Sequence, residues 1–436
     1  MRRLAALRPL RHRNYALLFS ASLVSNVGTW MQTVAVGSLV AVVTGNNLWA
    51  ALVAAATFLP TGLLSPVGGA LADRLDRRRF LVASNLVEAF LAALLAVLTV
   101  TGHTSPALVT GVVLVAGCVT ATSMPFVASL LPDLVPAEDL LGAVSLNSAQ
   151  WNVGRVVGPA LAAGVVALGS YSLAFAINAV SFGATIVAYW LLPLDRPAPV
   201  SAPERLWRRI ADGARAARGE PGCRTAIGLV AAAALLAAPF IALIPAKAHA
   251  LVGGGVGTHG RATAAVAGAL TTAQGVGAVI GALALAGLAQ RVGRRRLLVG
   301  SLLATPTALC LYAWSGSVVP AVASLALVGA CYIAVLTGLN TVVQLRAPSA
   351  YRARVLSLFM VALGVLYGLG APLQGALADR IGLATTTTAA AGLLAAVVLA
   401  LAAFRPAALH ALDDPPTSPV DLAAMPPVLG DTARAP

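Results

Sequence analysis

Two charged residues, Glu88 and Arg155, fall well inside long apolar stretches of this 436-residue chain. Glu88 lies nine residues beyond Arg79. At ~1.5 Å per helical residue that is ~13 Å, near the midplane of a ~30 Å hydrocarbon layer. An ionisable side chain at that depth is costly and marks an ion path, a proton relay or a ligand. A carboxyl that trades its proton there suits a proton carrier; the plainer alternative is a packed, protonated carboxyl or one facing a vestibule. Arg155 shares a helical stripe with Asn147, Trp151 and Gly158. It could pair with Glu88, bind an anionic substrate group or hold backbone carbonyls.

Polar and aromatic side chains at helical spacing supply candidates for a cavity lining. Ser22, Asn26, Thr29, Trp30 and Thr33 share roughly one face of the first apolar segment. Asn147, Trp151, Gln274, Thr337 and Asn340 stand in later ones. Each alone serves equally well as an interhelical hydrogen bond. A lining so poor in fixed charge favours amphiphilic organic molecules over ions or sugars. Catalytic and metal chemistry find no support. His12, His103, His249, His259 and His410 are scattered in or near loops, and Cys118, Cys223, Cys310 and Cys331 are widely spaced. No catalytic residue, metal or cofactor is expected, and the absence of a Gly-x-x-x-x-Gly-Lys-Ser/Thr run excludes ATP drive from within the chain.

The elements that must position these residues are membrane helices. Hydrophobic residues make up 59% and charged residues 10% of the chain, against roughly 25% charged in an ordinary soluble domain. Stretches long enough to span fall near 15–43, 48–72, 80–101, 107–130, 142–168 and 173–193, then 224–251, 263–289, 297–315, 319–344, 355–377 and 384–404. The net charge of +14 sits in short clusters between them, with no basic stripe interleaved with aromatics, so a nucleic-acid partner is excluded. With the N-terminus inside, 25 of the 29 basic residues fall on the cytoplasmic side and three, Lys247, Arg261 and Arg380, on the outer side. An odd number of spans would scramble that asymmetry.

The expected organisation is a cytoplasmic N-terminus (1–14), a six-helix bundle (15–193), a cytoplasmic linker (194–223), a second six-helix bundle (224–404) and a disordered cytoplasmic tail (405–436). The linker carries a short amphipathic helix for the membrane face. The two bundles repeat each other. Gly69-Ala70-Leu71-Ala72-Asp73-Arg74-Leu75-Asp76-Arg77-Arg78-Arg79 returns 217 residues later as Ala286-Gly287-Leu288-Ala289-Gln290-Arg291-Val292-Gly293-Arg294-Arg295-Arg296. Pro136 to Ser145 likewise aligns with Pro348 to Ser357. Parallel repeats of this kind, related by an axis along the membrane normal, occur in secondary transporters.

The first of these runs resembles the loop signature of the major facilitator superfamily, except that Asp76 stands where that pattern has Gly. Ser145, Gly154, Gly158-Pro159 and Ala162-Ala163 resemble the Gly-rich motif of its antiporters, with Ser and Ala for some glycines. Asn14 to Phe19 and Ser25 to Gln32 resemble the branch that holds enterobactin and macrolide exporters. The resemblance covers roughly residues 10–405 and implies an all-α membrane fold of 12 helices in two pseudo-symmetric six-helix bundles. It also implies a secondary transporter of the inner (cytoplasmic) membrane, both termini cytoplasmic, that exports small amphiphilic organic molecules by proton-coupled alternating access. The partners would be a small-molecule substrate (a drug, antibiotic or siderophore), protons and membrane lipid, and the chain would act as a monomer.

In that setting Asp73, Arg74, Arg77, Arg78, Arg352 and Arg354 form a cytoplasmic gate. Asp73 would face the N-terminus of the eleventh span, a contact worth about 0.3–2 kcal/mol. Glu88 and Arg155 would couple protons, although the superfamily's arginine in the fourth span is missing here. Gly154, Gly158 and Pro159 would make a close helix seam against leak. The readings left open are an uptake permease or facilitator and a non-transporting membrane sensor or scaffold.

Overall fold

The computed structural model describes residues 7–72, 74–168, 170–193, 206–253 and 259–412, and twelve of its helices are long and apolar enough to cross a bilayer. They are α1 (Arg13–Thr44), α2 (Asn47–Ala72), α3 (Arg77–Val100), α4 (Pro106–Leu134), α5 (Leu140–Leu168) and α6 (Tyr171–Leu191) in the first half. The second half holds α7 (Pro221–Leu251), α8 (Gly260–Val292), α9 (Arg294–Ala313), α10 (Val318–Arg346), α11 (Arg352–Ile381) and α12 (Leu383–Phe404). No strand occurs among the described residues. A helix satisfies its own backbone groups, which is what lipid demands. The expected spans are found with ends shifted by a few residues.

Two local features explain how the sequence bends these helices. In α7 the helical ladder slips into a π segment at Ala233–Ala237 just before Pro239, whose ring and missing N–H break the i→i−4 pattern. Gln374 of α11 donates its side-chain N–H to the carbonyls of Leu235 and Leu236, both at 3.0 Å, and so satisfies the acceptors the break frees. At the repeated loop, Gly293 takes φ +89, a left-handed value suited to glycine. Its counterpart Asp76 instead takes φ −63 and caps α3, accepting from the Arg79 amide at 2.9 Å. Asp76 thus puts a helix cap where the second copy of the loop has a glycine turn.

Side-chain packing divides the molecule by depth. Towards the end away from the termini, one contiguous apolar core draws on both halves, with Met31 and Leu39 of α1, Ala51 of α2, Val166 of α5, Leu243 of α7, Leu270 of α8, Leu325 of α10 and Ala371 of α11. At the end that carries the termini the halves have separate cores. One holds Tyr15, Leu18, Leu81, Phe126 and Ala143; the other holds Leu229, Leu298, Val342, Val355 and Phe359. In lipid such packing works through close contact rather than transfer from water. The halves are thus fused at one end and parted at the other.

Cross-half contacts follow the same division. A Cβ on Gly62 of α2 would lie 3.0 Å from the Val365 amide nitrogen of α11, so these helices cross backbone to backbone. Further out, the Asn47 amide and side chain donate to Asp379 Oδ1 at 2.8 Å, and the Leu48 amide donates to Oδ2 at 3.0 Å. A carboxylate of the second half thereby caps the N-terminus of α2 in the first. Tyr171 donates to the Gly260 carbonyl at 2.7 Å at the same end.

The linker helix Leu206–Gly219 is present, and its Asp212 pairs with Arg354 of α11 at 3.1 Å as well as with Arg215. Glu220 then caps α7 and pairs with Arg346 at 2.7 Å, both side chains largely buried. The expected disorder does not begin at 405. Pro406–His410 forms a helical turn, His410 bonds to Arg295 at 2.6 Å, and Leu409 and Leu412 pack into the second half. Apolar side chains at helical spacing after Pro406 outweigh the proline content there. The rest of that segment, 413–436, lies outside the described residues.

Candidate functional site

The shared core splits in two at mid-membrane depth, and a polar cluster sits at that level. Arg155 of α5 donates through Nη2 to Gln274 Oε1 of α8 at 2.7 Å, a bond from one half to the other. Beside it Thr272 donates to the Val156 carbonyl at 3.3 Å. The guanidinium is also within electrostatic reach of Tyr332 of α10 and Tyr367 of α11. Tyr332 stacks edge-on with Phe240 of α7, and Tyr367 with Phe58 of α2, at centroid separations of 5.9 and 5.5 Å.

Trp30 of α1 packs on α5 at the same level. A Cβ on Gly154 would come 3.1 Å from its Cδ1, and one on Gly158 would come 2.5 Å from its Cβ. The glycines of the expected seam therefore let α5 close on α1 inside the first half. The Pro159 carbonyl faces the other way: a Cβ on Gly268 of α8 would lie 2.5 Å from it. One stretch of α5 thus packs on both sides, within its bundle and across to the second.

Several of these groups have unspent hydrogen-bonding capacity. Trp30 Nε1, Gln274 Nε2 and the Tyr367 hydroxyl are buried with no partner among the described residues. Towards the termini from this level, Ser145, Ser148 and Asn152 on α5 and Thr337 and Gln344 on α10 are exposed. Polar side chains are costly against lipid, and these mark the face on which a vestibule to the cluster would open.

Glu88 is elsewhere. It accepts a hydrogen bond from Thr120 of α4 at 2.6 Å and lies near Tyr189 of α6. Its helix, α3, packs on α4 and α6 within the first half. Glu88 and Arg155 do not pair: α5 presents Arg155 to the second half, while α3 holds Glu88 against α4 and α6 within the first.

The other candidates divide as follows. Asn26 donates to the Gln150 carbonyl at 2.9 Å and ties α1 to α5. Thr33 donates to Thr29 of its own helix, and Asn340 accepts from Gln344 of its own helix. Asn147 is half-buried, and Trp151 and Thr337 are exposed, on the vestibule side of the cluster. Of the gate set, Asp73 lies outside the described residues, and with it any contact to Arg352 or Arg354. Arg74 and Arg352 are exposed. Arg77 pairs with Asp133 at 2.6 Å, and Arg78 donates to the Leu192 carbonyl at 2.5 Å, both anchoring α3 within the first half. Tyr332, Tyr367 and Phe58 escaped the sequence reading because an aromatic residue in an apolar span reads as packing; the usable signal was that all three stand at mid-span.

A family profile described as "Transmembrane secretion effector" matches residues 4–428. The chain is 29% identical over 416 residues to the multidrug efflux pump Tap of Mycobacterium tuberculosis, covering 93% of this chain and 96% of Tap. It is 29% identical over 179 residues to the MFS-type transporter YfiS of Bacillus subtilis, a stretch that is 41% of this chain and only 42% of YfiS. Among solved structures, the nucleoside transporter NupG superposes over 90% of this chain and 100% of its own at a TM-score of 0.70, with 14% identity, which is a likeness of fold.

Proposed function

The chain belongs to the transmembrane secretion effector family of major-facilitator transporters, and we propose that it exports small amphiphilic organic molecules across the inner membrane in exchange for protons. The observation that carries this reading is the division of the core: fused across the halves at one end, parted at the other, with a polar cluster at the split. Two rigid bundles built this way can rock about the middle and expose the cluster to each side in turn. The efflux pump similar over nearly the whole chain, and the α5 segment packed through Gly154 and Gly158 on α1 and through the Pro159 carbonyl on Gly268 of α8, support export as the direction.

In this reading the basic, termini-bearing end is cytoplasmic. The vestibule is open to it, and substrate enters from the cytoplasm or the inner leaflet. The Asp379 cap on α2 and the Tyr171–Gly260 bond seal the far side and must break for release. Glu88 carries the proton at the α3–α4–α6 seam, apart from the substrate. Asp73, with Arg352 and Arg354, closes the cytoplasmic side in the opposite state. The chain works as a monomer, with lipid around both bundles.

Uptake into inverted membrane vesicles under an imposed proton gradient tests this. Hydrophobic antibiotics should accumulate when the lumen is acidic, and Glu88→Gln should abolish that dependence on the gradient. Accumulation that ignores the gradient would remove proton exchange. Accumulation only in right-side-out vesicles would replace export by uptake.

A further inference from the structure

We infer that the substrate carries an anionic oxygen, such as a carboxylate, and that Arg155 binds it by giving up Gln274. This rests on the export site proposed above and specifies its chemistry. The groups at mid-depth are donors: the Arg155 guanidinium, the Trp30 indole N–H, the Gln274 side-chain N–H and the Tyr367 hydroxyl. No carboxylate among the described residues faces Arg155. Glu88 is held by Thr120 in the first half; Asp76, Asp133, Glu138, Asp139, Glu220 and Asp379 lie at helix ends or loops, and Asp212 lies on the linker helix, paired with Arg354.

A guanidinium at this depth needs an acceptor, and its acceptor here is a neutral amide oxygen at 2.7 Å. An ionised acceptor makes hydrogen bonds roughly twice as strong and matches the planar fork of arginine with two oxygens. A carboxylate arriving through the vestibule therefore outcompetes Gln274. The displaced amide loses its tie to α5, and its N–H, already without a partner, can turn to the same ligand. Binding thus replaces a bond between the halves with bonds to the substrate. That exchange loosens the α5–α8 seam at the level where the bundles pivot. The aromatic side chains at this level, Trp30 and the edge-on pairs Phe58–Tyr367 and Phe240–Tyr332, supply apolar contact for the rest of the molecule.

The probes are 1-pyrenebutyrate, its methyl ester and 1-pyrenebutylamine, which share one apolar body and differ in charge. Their binding to the full-length protein in lipid nanodiscs is followed by energy transfer from tryptophan, with empty discs as the partition reference. The carboxylate should bind about tenfold or more tighter than the ester or the amine. Arg155→Gln should bring it down to the level of the ester, and Arg155→Lys should keep part of the preference. Equal affinity for all three probes in the wild type, a preference for the amine, or a carboxylate preference that survives Arg155→Gln with its helical spectrum intact would each overturn the inference. The ratio of affinities is read without any gradient. Failure of the charge preference therefore leaves export standing, and failure of gradient-driven accumulation leaves the ratio to be read on its own.

Discussion

At the residue scale the two charges inside the spans have separate surroundings because separate helices hold them. Arg155 points from α5 at the second half and meets Gln274, while Glu88 stays between α3 and α4 under the Thr120 hydroxyl. Thr120→Val should impair gradient-driven transport far less than Glu88→Gln, since it removes one hydrogen bond worth about 0.5–1.5 kcal/mol net and leaves the carboxyl in place. Initial rates in vesicles, measured for both variants at matched expression, check this. The need for a charge at mid-depth was legible in the sequence for both residues, because hydropathy exposes any charge inside a span. Their partners were not. A single sequence gives the rotation of each helix only roughly, and a stripe such as Asn26, Trp30 and Thr33 can serve either a cavity or a neighbour. Asn26 turned to the Gln150 carbonyl and Thr33 to its own backbone, while the indole of Trp30 kept its N–H unspent.

At the element scale, glycine and proline decide where helices close up and where they break. Gly158→Leu should separate α1 from α5, because even a Cβ there would lie 2.5 Å from the Cβ of Trp30. Overpacking of this kind costs about 1–3 kcal/mol or more, so a lower melting temperature in detergent and loss of transport are the expected readouts. Gln374→Ala should leave the carbonyls of Leu235 and Leu236 unsatisfied at the π segment of α7, costing about 1–3 kcal/mol for each acceptor without another donor. Faster hydrogen exchange confined to α7 would report it; uniform exchange across the second half would point to a general loss of packing instead. The spans themselves were readable from length and composition, and the repeated loop from its arginines. The slip in α7 was not, since Pro239 announces a break without saying which side chain repairs it.

At the scale of the whole molecule, a fused end and a parted end are one of the two states that the proposed alternating access requires. The Asp379 carboxylate capping α2 belongs to this state alone if the bundles rock. Asp379→Asn should weaken the far-side seal by about 0.3–1 kcal/mol, shifting the population towards the opposite opening by up to ~5-fold at 1.4 kcal/mol per tenfold. Spin labels read both ends at once, in a background whose four native cysteines, Cys118, Cys223, Cys310 and Cys331, are replaced by serine. One pair goes on Ser145 and Ser357, in corresponding places of the two repeats at the termini-bearing end; the other goes on Leu168 and Arg261 at the far end. Measuring the two distance distributions by electron double resonance, with and without transported substrate, addresses alternating access directly. Two populations are expected, in which the first pair shortens as the second lengthens, and Asp379→Asn moves weight between them. A single unchanging distribution at both ends, or two distances that lengthen together, would contradict a pivot about the Arg155 level.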